Sequence, residues 1–202
     1  DKNIWIMPSP GDAGNALGAA ALVEKKKLNW KHPYLGYNIK RGINPKEVVD
    51  YLLKYSYCGI ANGRAEFGPR ALGNRSLIAD PRKNIKDTIN EIKQRQKYRP
   101  FAPAILEEYA NEYFEGPMNR YMQFVAKAKH DYSSVTHVDG TARVQLVEKK
   151  NISILRDILE EWYDRTGCPM LLNTSLNIKG QPIVNDWNDA EQFMEKYNVA
   201  VF

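Results

Sequence analysis

The chain has 202 residues, 43% hydrophobic and 26% charged, enough for one large domain with its own core. Lys and Arg number 29 against 24 Asp and Glu, and the resulting net charge of +5 suits an anionic ligand without demanding nucleic acid. No apolar run reaches transmembrane length and no signal-peptide pattern is present; Cys58 and Cys168 lack metal-ligand spacing, so a cytoplasmic, membrane-free protein with two reduced core thiols is expected.

Asn3 to Met7 reads as a short apolar strand, followed by a Pro/Gly turn and a helix of small residues. Asp12 opens that helix and is placed either to cap it or to serve chemistry. Lys25 to Asn44 has the composition of a linker. Asn44 as cap, Pro45 at the first helical position and Glu47 in the first turn then predict a helix with Val48, Val49, Leu52 and Leu53 on its apolar face. Tyr57 to Ala61 reads as a buried strand. Asp80-Pro81 starts a helix carrying Ile85, Ile89 and Ile92 on one side. Glu107 to Gly116 is a short helix with Tyr109, Tyr113 and Phe114 in the core. Tyr121 to Ala126 reads as a strand, Asp139-Gly140 as a turn, and Ala142 to Val147 as a strand with Arg143 and Gln145 on one face. Ile152, Leu155, Ile158, Leu159 and Trp162 form the stripe of an amphipathic helix over 152–163, closed by Gly167. Pro169 to Leu172 is a strand, Asp186 to Tyr197 a final helix, and Ala200 to Phe202 a terminal strand.

Four separated stretches are rich in groups that hold anions. Asn62 to Asp80 is read as a loop with Arg64, Arg70, Arg75 and Glu66 among three glycines. Arginine presents five donors in a planar fork and takes phosphate or carboxylate bidentately. The alternative for this stretch is a solvated basic loop paired with acidic neighbours. Lys93, Arg95, Lys97 and Arg99 follow at two-residue steps, which suits either a basic helix end or extended chain entering a cleft. Thr141, Arg143 and Gln145 form the third group, with His137 open between a base and a structural role. Asn173, Ser175 and Asn177 follow a buried strand, where an α/β sheet places ligand contacts, although a plain polar turn has the same composition. There is no Walker lysine loop, no zinc spacing and no identifiable Ser-His-Asp set. Many cationic donors with few nucleophiles point to positioning and charge stabilisation of a phosphoryl or acyl-phosphate group, with Mg²⁺ arriving on a nucleotide.

Four runs in this order, G-R-A-E-F-G-P-R-A-L-G-N-R-S, I-K-Q-R-Q-K-Y-R-P-F-A-P-A-I-L, H-V-D-G-T-A-R-V-Q and N-T-S-L-N-I-K-G-Q-P-I, resemble the C-terminal part of the O-carbamoyltransferases of nodulation (the nodulation protein U family) and antibiotic biosynthesis. Ala65 departs from the pattern, where a methionine is expected. The resemblance implies an α/β domain similar to YrdC, a twisted mixed sheet with flanking helices, over residues 45–202. It further implies a C-terminal remnant of an actin-like carbamoyl-transfer domain at 1–27 and a linker at 28–44. The implied activity is formation of carbamoyl adenylate from carbamoyl phosphate and ATP with Mg²⁺, for O-carbamoylation of a small-molecule hydroxyl acceptor together with the actin-like domain of the same protein. The K-x-R and S-x-N signature of YrdC-like domains falls on Lys93 and Arg95, and on Ser175 and Asn177. By this resemblance Lys93, Arg95 and Arg70 carry the chemistry. Arg64, Glu66, Arg75, Arg99, Thr141, Arg143, Asn173, Ser175 and Asn177 surround substrate and nucleotide, with Glu66 orienting an arginine. Asp12 matches the aspartate that joins two histidines on iron or another divalent metal; the scattered His32, His130 and His137 do not supply that pair.

Two rival readings remain. Threonylcarbamoyl-adenylate synthesis for tRNA modification would use the same fold and would depend on threonine and bicarbonate. A non-catalytic basic RNA- or anion-binding module would show steeply salt-dependent nucleic-acid binding and no turnover; the small net charge argues against it.

Overall fold

The structure is a computed structural model that describes residues 6–202. In chain order the elements are α1 (Asp12–Glu24), β1 (Tyr34–Ile39), α2 (Pro45–Tyr55), β2 (Tyr57–Ala61), β3 (Gly63–Glu66), β4 (Arg75–Ala79), α3 (Lys86–Ile92) and β5 (Ala102–Leu106). A single 3₁₀ turn, Glu107–Tyr109, leads into α4 (Ala110–Tyr113). Then come β6 (Phe114–Glu115), β7 (Ala126–Ala128), β8 (Thr141–Ala142), β9 (Gln145–Val147), α5 (Leu155–Thr166), β10 (Met170–Ser175) and α6 (Trp187–Tyr197).

A mixed five-stranded sheet in the order β2-β4-β10-β5-β9 organises the domain. All its pairings are antiparallel except β5 with β9. The strands alternate between two cores, as period-two geometry requires of a sheet covered on both faces. Ile78, Ala104, Leu106 and Leu171 pack with Val48, Val49 and Leu52 of α2 and with Leu155, Ile158, Leu159 and Trp162 of α5. Leu77, Ile105, Met170 and Leu172 face the opposite way, towards Ile89 of α3 and Ala190 and Phe193 of α6. This is the mixed α/β architecture with flanking helices that was expected. Main-chain bonds between Gly59 or Ala61 and residues 200–202 cover the outer edge of β2, so the expected terminal strand is a parallel bridge.

Local chemistry explains most element ends. The Asn44 side chain accepts from Lys46 N at 3.1 Å and caps α2, with Pro45 next. The Asp186 carboxylate accepts from Asp189 N at 3.0 Å and caps α6. Gly167, at φ 68°, closes α5.

Several expectations differ from the fold. The stretch expected as a linker contains β1, which pairs with β3 through Tyr34↔Glu66 and Asn38↔Arg64. The stretch expected as one arginine loop holds two strands, β3 and β4, around a shorter loop at 67–74. Extended Lys93–Arg99 is not formed; the segment turns, and β5 starts only at Ala102. The helix expected from Pro81 starts at Lys86, because the Asp80 carboxylate instead binds Arg82 N at 3.0 Å and the Arg82 guanidinium at 2.9 Å in a tight turn. The strand expected over 121–126 is displaced to β7. The strand expected over 142–147 is two strands in two different sheets, β8 and β9, with Arg143 between them. Ile152 lies outside α5 and is exposed. Gly11, not Asp12, occupies the capping position of α1. Most of the strand expected over 3–7 lies outside the described residues, and Ile6 and Met7 are irregular.

Candidate functional site: a cationic cleft at one end of the sheet

Antiparallel pairing places the C-terminal end of β10 beside the N-terminal end of β5, with Asn173 opposite Ala102. Its other neighbour, β4, begins at the same end, with Ser175 opposite Ser76. A cavity of about 250 Å³ opens at this end. Arg70, Arg95, Arg99, Arg143, Asn173 and Ser175 supply its polar wall, and among the described residues no carboxylate lines it. All four polar stretches expected from the sequence meet here from different parts of the chain. A wider, more apolar cavity of about 760 Å³ adjoins it, sharing Arg70, Met122 and Arg143 and reaching Ile6, Pro8 and Pro10.

The turn that carries Arg95 and Arg99 is held by the fold. Asn90, fully buried in α3, binds the whole basic turn: its Oδ1 accepts from Arg95 Nε at 2.6 Å, and its Nδ2 donates to the carbonyls of Lys97 and Arg99 at 3.1 Å each. The Arg95 guanidinium carbon lies 4.3 Å from the ring centre of Phe101. Burial, with Arg99 and Arg143 nearby, pushes Arg95 down to about 10. Arg143 is pushed down to about 10, first by burial and then by Arg70. Its Nε is buried without a hydrogen-bond partner among the described residues. Like charges held together without a counter-anion are costly, so the cleft is built for a ligand of opposite charge.

Lys93 sits just behind this wall and is 4% exposed. Its Nζ donates to the carbonyl of Asn177 at 2.8 Å, to Asn177 Oδ1 at 3.0 Å, and to the carbonyl and hydroxyl of Ser175. The K-x-R and S-x-N residues therefore touch one another directly. Burial, then Arg95 and Arg99, push Lys93 down to about 7.

The loop carrying Arg70 is fixed from several sides. Glu66 Oε1 accepts from the amides of Leu72 at 2.6 Å, Asn74 at 2.8 Å and Arg75 at 3.4 Å. Gln145 Nε2 donates to the Leu72 carbonyl at 3.0 Å, and Tyr34 Oη donates to the same oxygen at 3.1 Å. Asn173 Nδ2 donates to the Ala71 carbonyl at 3.2 Å. Gly73 has φ 124°, and a Cβ there would run into Ser153 Oγ and lie 2.7 Å from Leu155 Cβ. Only glycine fits that bend.

Some expected site residues stand elsewhere. Arg75 has no exposed surface, and its guanidinium donates to the carbonyls of Asn62, Gly63, Asn74, Tyr37 and Asn185. It ties strands and loops together instead of facing the cleft, because β4 is buried on both sides. Arg64 is exposed on β3 and reaches the Gly36 carbonyl at 3.3 Å, beside a separate recess. Glu66 does not orient an arginine side chain; its bonded oxygen is taken by backbone amides, and burial holds its carboxyl above the usual carboxylate range. Thr141 is held within its turn, its hydroxyl 2.6 Å from Asp139 Oδ1 and 3.0 Å from His137 Nδ1. That contact gives His137 a structural partner, and burial pushes its imidazole down. Asn177 supports Lys93 and Ser175 rather than lining the cleft. Asp12 is exposed, and no cluster of three or more His, Cys, Asp or Glu able to hold a metal exists among the described residues. The chain's own described residues do not fit a metal centre.

Asn90 and Phe101 were not singled out from the sequence, whereas Gln145 was grouped there with Thr141 and Arg143. Asn90 had one available signal: a polar residue directly after Ile89 in a helix whose other core positions are isoleucine.

Residues 49–202 match the family model described as Carbamoyltransferase C-terminus. The chain belongs to that family. Nodulation protein NolO of Bradyrhizobium diazoefficiens is 38% identical over an alignment covering 93% of this chain and 41% of that protein. Nodulation protein NolNO of Sinorhizobium fredii is 37% identical, with 94% of this chain and 33% of that protein covered. Nodulation protein U of Sinorhizobium fredii is 34% identical, with 89% and 36% covered. The chain thus spans roughly a third to two-fifths of the length of these relatives. A crystal structure of full-length HypF in its phosphate- and nucleotide-bound form superposes with a TM-score of 0.57 at 17% identity, covering 81% of this chain and 25% of that one. At that identity the likeness speaks for the fold alone. This carbamoyltransferase C-terminus carries its cationic cleft wholly within the matched region, while the adjoining wide cavity also reaches residues before it.

Proposed function

We propose that this chain activates carbamoyl phosphate with ATP to carbamoyl adenylate, for transfer to a hydroxyl acceptor by a longer carbamoyltransferase. The observation that carries the reading is the convergence of Arg70, Arg95, Arg99 and Arg143 on one cavity without a carboxylate. Such a site holds several phosphate charges at once and stabilises the charge that develops as phosphorus is attacked. The balance of the reaction sets the steps. Water takes the phosphate of carbamoyl phosphate, leaving carbamate; a carbamate oxygen then bonds to the α-phosphorus of ATP as pyrophosphate leaves. Arg70 and Arg95 hold the reacting phosphoryl groups, and Arg99 and Arg143 complete the shell. Lys93 ties Ser175 and Asn177 to the basic turn and supplies one more positive charge when an anion is bound. Among the described residues no carboxylate lines the cleft for Mg²⁺, so the metal would be carried on the nucleotide phosphates and would neutralise charge there.

The relatives' membership of one carbamoyltransferase family supports the reading, and phosphate and nucleotide were the ligands of the HypF structure. Residues 1–27 are assigned to the end of an actin-like transfer domain, 28–44 to the connection and 45–202 to the adenylate-forming domain. Iron or another divalent metal would then belong mainly to the transfer domain.

Titration calorimetry of ATP with Mg²⁺, with and without carbamoyl phosphate, followed by pyrophosphate release, tests this. Carbamoyl phosphate should strengthen nucleotide binding, and pyrophosphate should appear. Arg70→Ala and Arg95→Ala should each weaken transition-state stabilisation by about 2–4 kcal/mol. Adenylate formation near wild type in both variants would show that the site is misassigned. Turnover that requires threonine and bicarbonate would move the chain to tRNA-modification chemistry.

A further inference from the structure

The cleft is built almost entirely of donors, since guanidinium groups only donate. One buried acceptor without a partner breaks that pattern. Asn173 lies on the wall of the cavity and is 2% exposed. Its Nδ2 gives its donors to the Ala71 carbonyl at 3.2 Å and to Gln145 Oε1 at 2.7 Å. Its Oδ1 is buried and has no hydrogen-bond partner among the described residues.

The facing of that amide follows from a chain of fixed polarities. The Leu72 carbonyl can only accept, so it takes the Nε2 side of Gln145 at 3.0 Å. Gln145, 1% exposed, therefore turns its Oε1 to Asn173. An oxygen there demands the nitrogen of Asn173, and the Ala71 carbonyl demands the same. Asn173 is left with Oδ1 as its free polar atom. A bare phosphate satisfies arginines but repels this oxygen, because both are acceptors. An unpaired buried acceptor costs about 1–3 kcal/mol, a cost a ligand N–H removes.

Arg143, on the wall of the same cavity, carries a second unpartnered polar atom, the buried donor Nε. A carbamoyl group carries a donor and an acceptor, NH₂ and C=O, on one carbon. We propose that Asn173 Oδ1 accepts from the carbamoyl NH₂ while Arg143 Nε donates to the carbamoyl oxygen, so that the cleft selects carbamoyl phosphate over acyl phosphates without an N–H. Gln145 is the positioning residue that sets which atom Asn173 presents. The inference rests on the activity proposed above and adds its specificity.

Calorimetric binding of carbamoyl phosphate, acetyl phosphate and inorganic phosphate to the 202-residue chain provides the test. Acetyl phosphate has the same phosphate and carbonyl but a methyl in place of NH₂. Wild type should prefer carbamoyl phosphate by at least about tenfold, because a site built to hydrogen-bond a substrate N–H rejects the analogue without it. In Asn173→Leu, which lacks the acceptor, the ratio of the two affinities should fall to about one; in Gln145→Leu, which removes one of the two acceptors holding the Asn173 nitrogen, it should fall part of the way, whatever happens to each affinity. Equal wild-type affinities overturn the proposal without any variant, and so does a preference that survives undiminished in both variants. If Asn173→Leu does not fold, Gln145→Leu carries the comparison alone. Phosphate binding without carbamoyl preference refutes the specificity only; no binding of any of the three refutes the anion cleft itself, and this inference with it.

Discussion

At the scale of single residues, two arginines five positions apart have opposite fates. Arg70 projects from a loop into the cleft, whereas Arg75 begins a buried strand and spends its donors on five carbonyls. Arg75→Met should cost about 3 kcal/mol or more in chemical denaturation, because it leaves those carbonyls without their donors. Lys93 gives a pH signature. Its folded value of about 7 lies below the ordinary 10.5. Between those values the unfolded chain binds the extra proton, so stability should rise as pH increases from about 7 towards 10, and be flat in this group below 7. Urea midpoints at pH 7, 8 and 9 check this, and Lys93→Met should remove that part of the slope.

At the scale of elements, the cleft depends on two turns more than on any helix or strand. The loop between β3 and β4 is pinned through its amides by Glu66 and through its carbonyls by Gln145, Asn173 and Tyr34. The turn between α3 and β5 is pinned by Asn90. Gly73→Ala strains a positive φ and drives a Cβ into Ser153 and Leu155. It should destabilise the chain by at least about 2 kcal/mol and weaken anion binding by displacing Arg70. A melting curve and a phosphate titration of the same variant measure both effects.

At the scale of the whole molecule, the cleft is a cluster of like charges held by a sheet with a core on each face. A bound anion should therefore stabilise the fold. At a hundred times Kd, phosphate should add about 2.7 kcal/mol, raising Tm by several degrees, and Arg95→Ala should lose most of that gain. The sequence by itself determined the helix faces, the Asn44 cap, the buried strands at 57–61 and 169–172, and the four cationic or polar runs, because periodicity and capping are local. The resemblance to YrdC-like domains also grouped Lys93 with Ser175 and Asn177, which do meet. Only the tertiary structure decided which arginines face the ligand. A strand hidden on both faces turned Arg75 into a tie, while β1, read as linker, acquired its partner only when β3 paired with it. The facing of Asn173 was equally illegible in the sequence, since it depends on a carbonyl about a hundred residues away meeting Gln145 across the sheet.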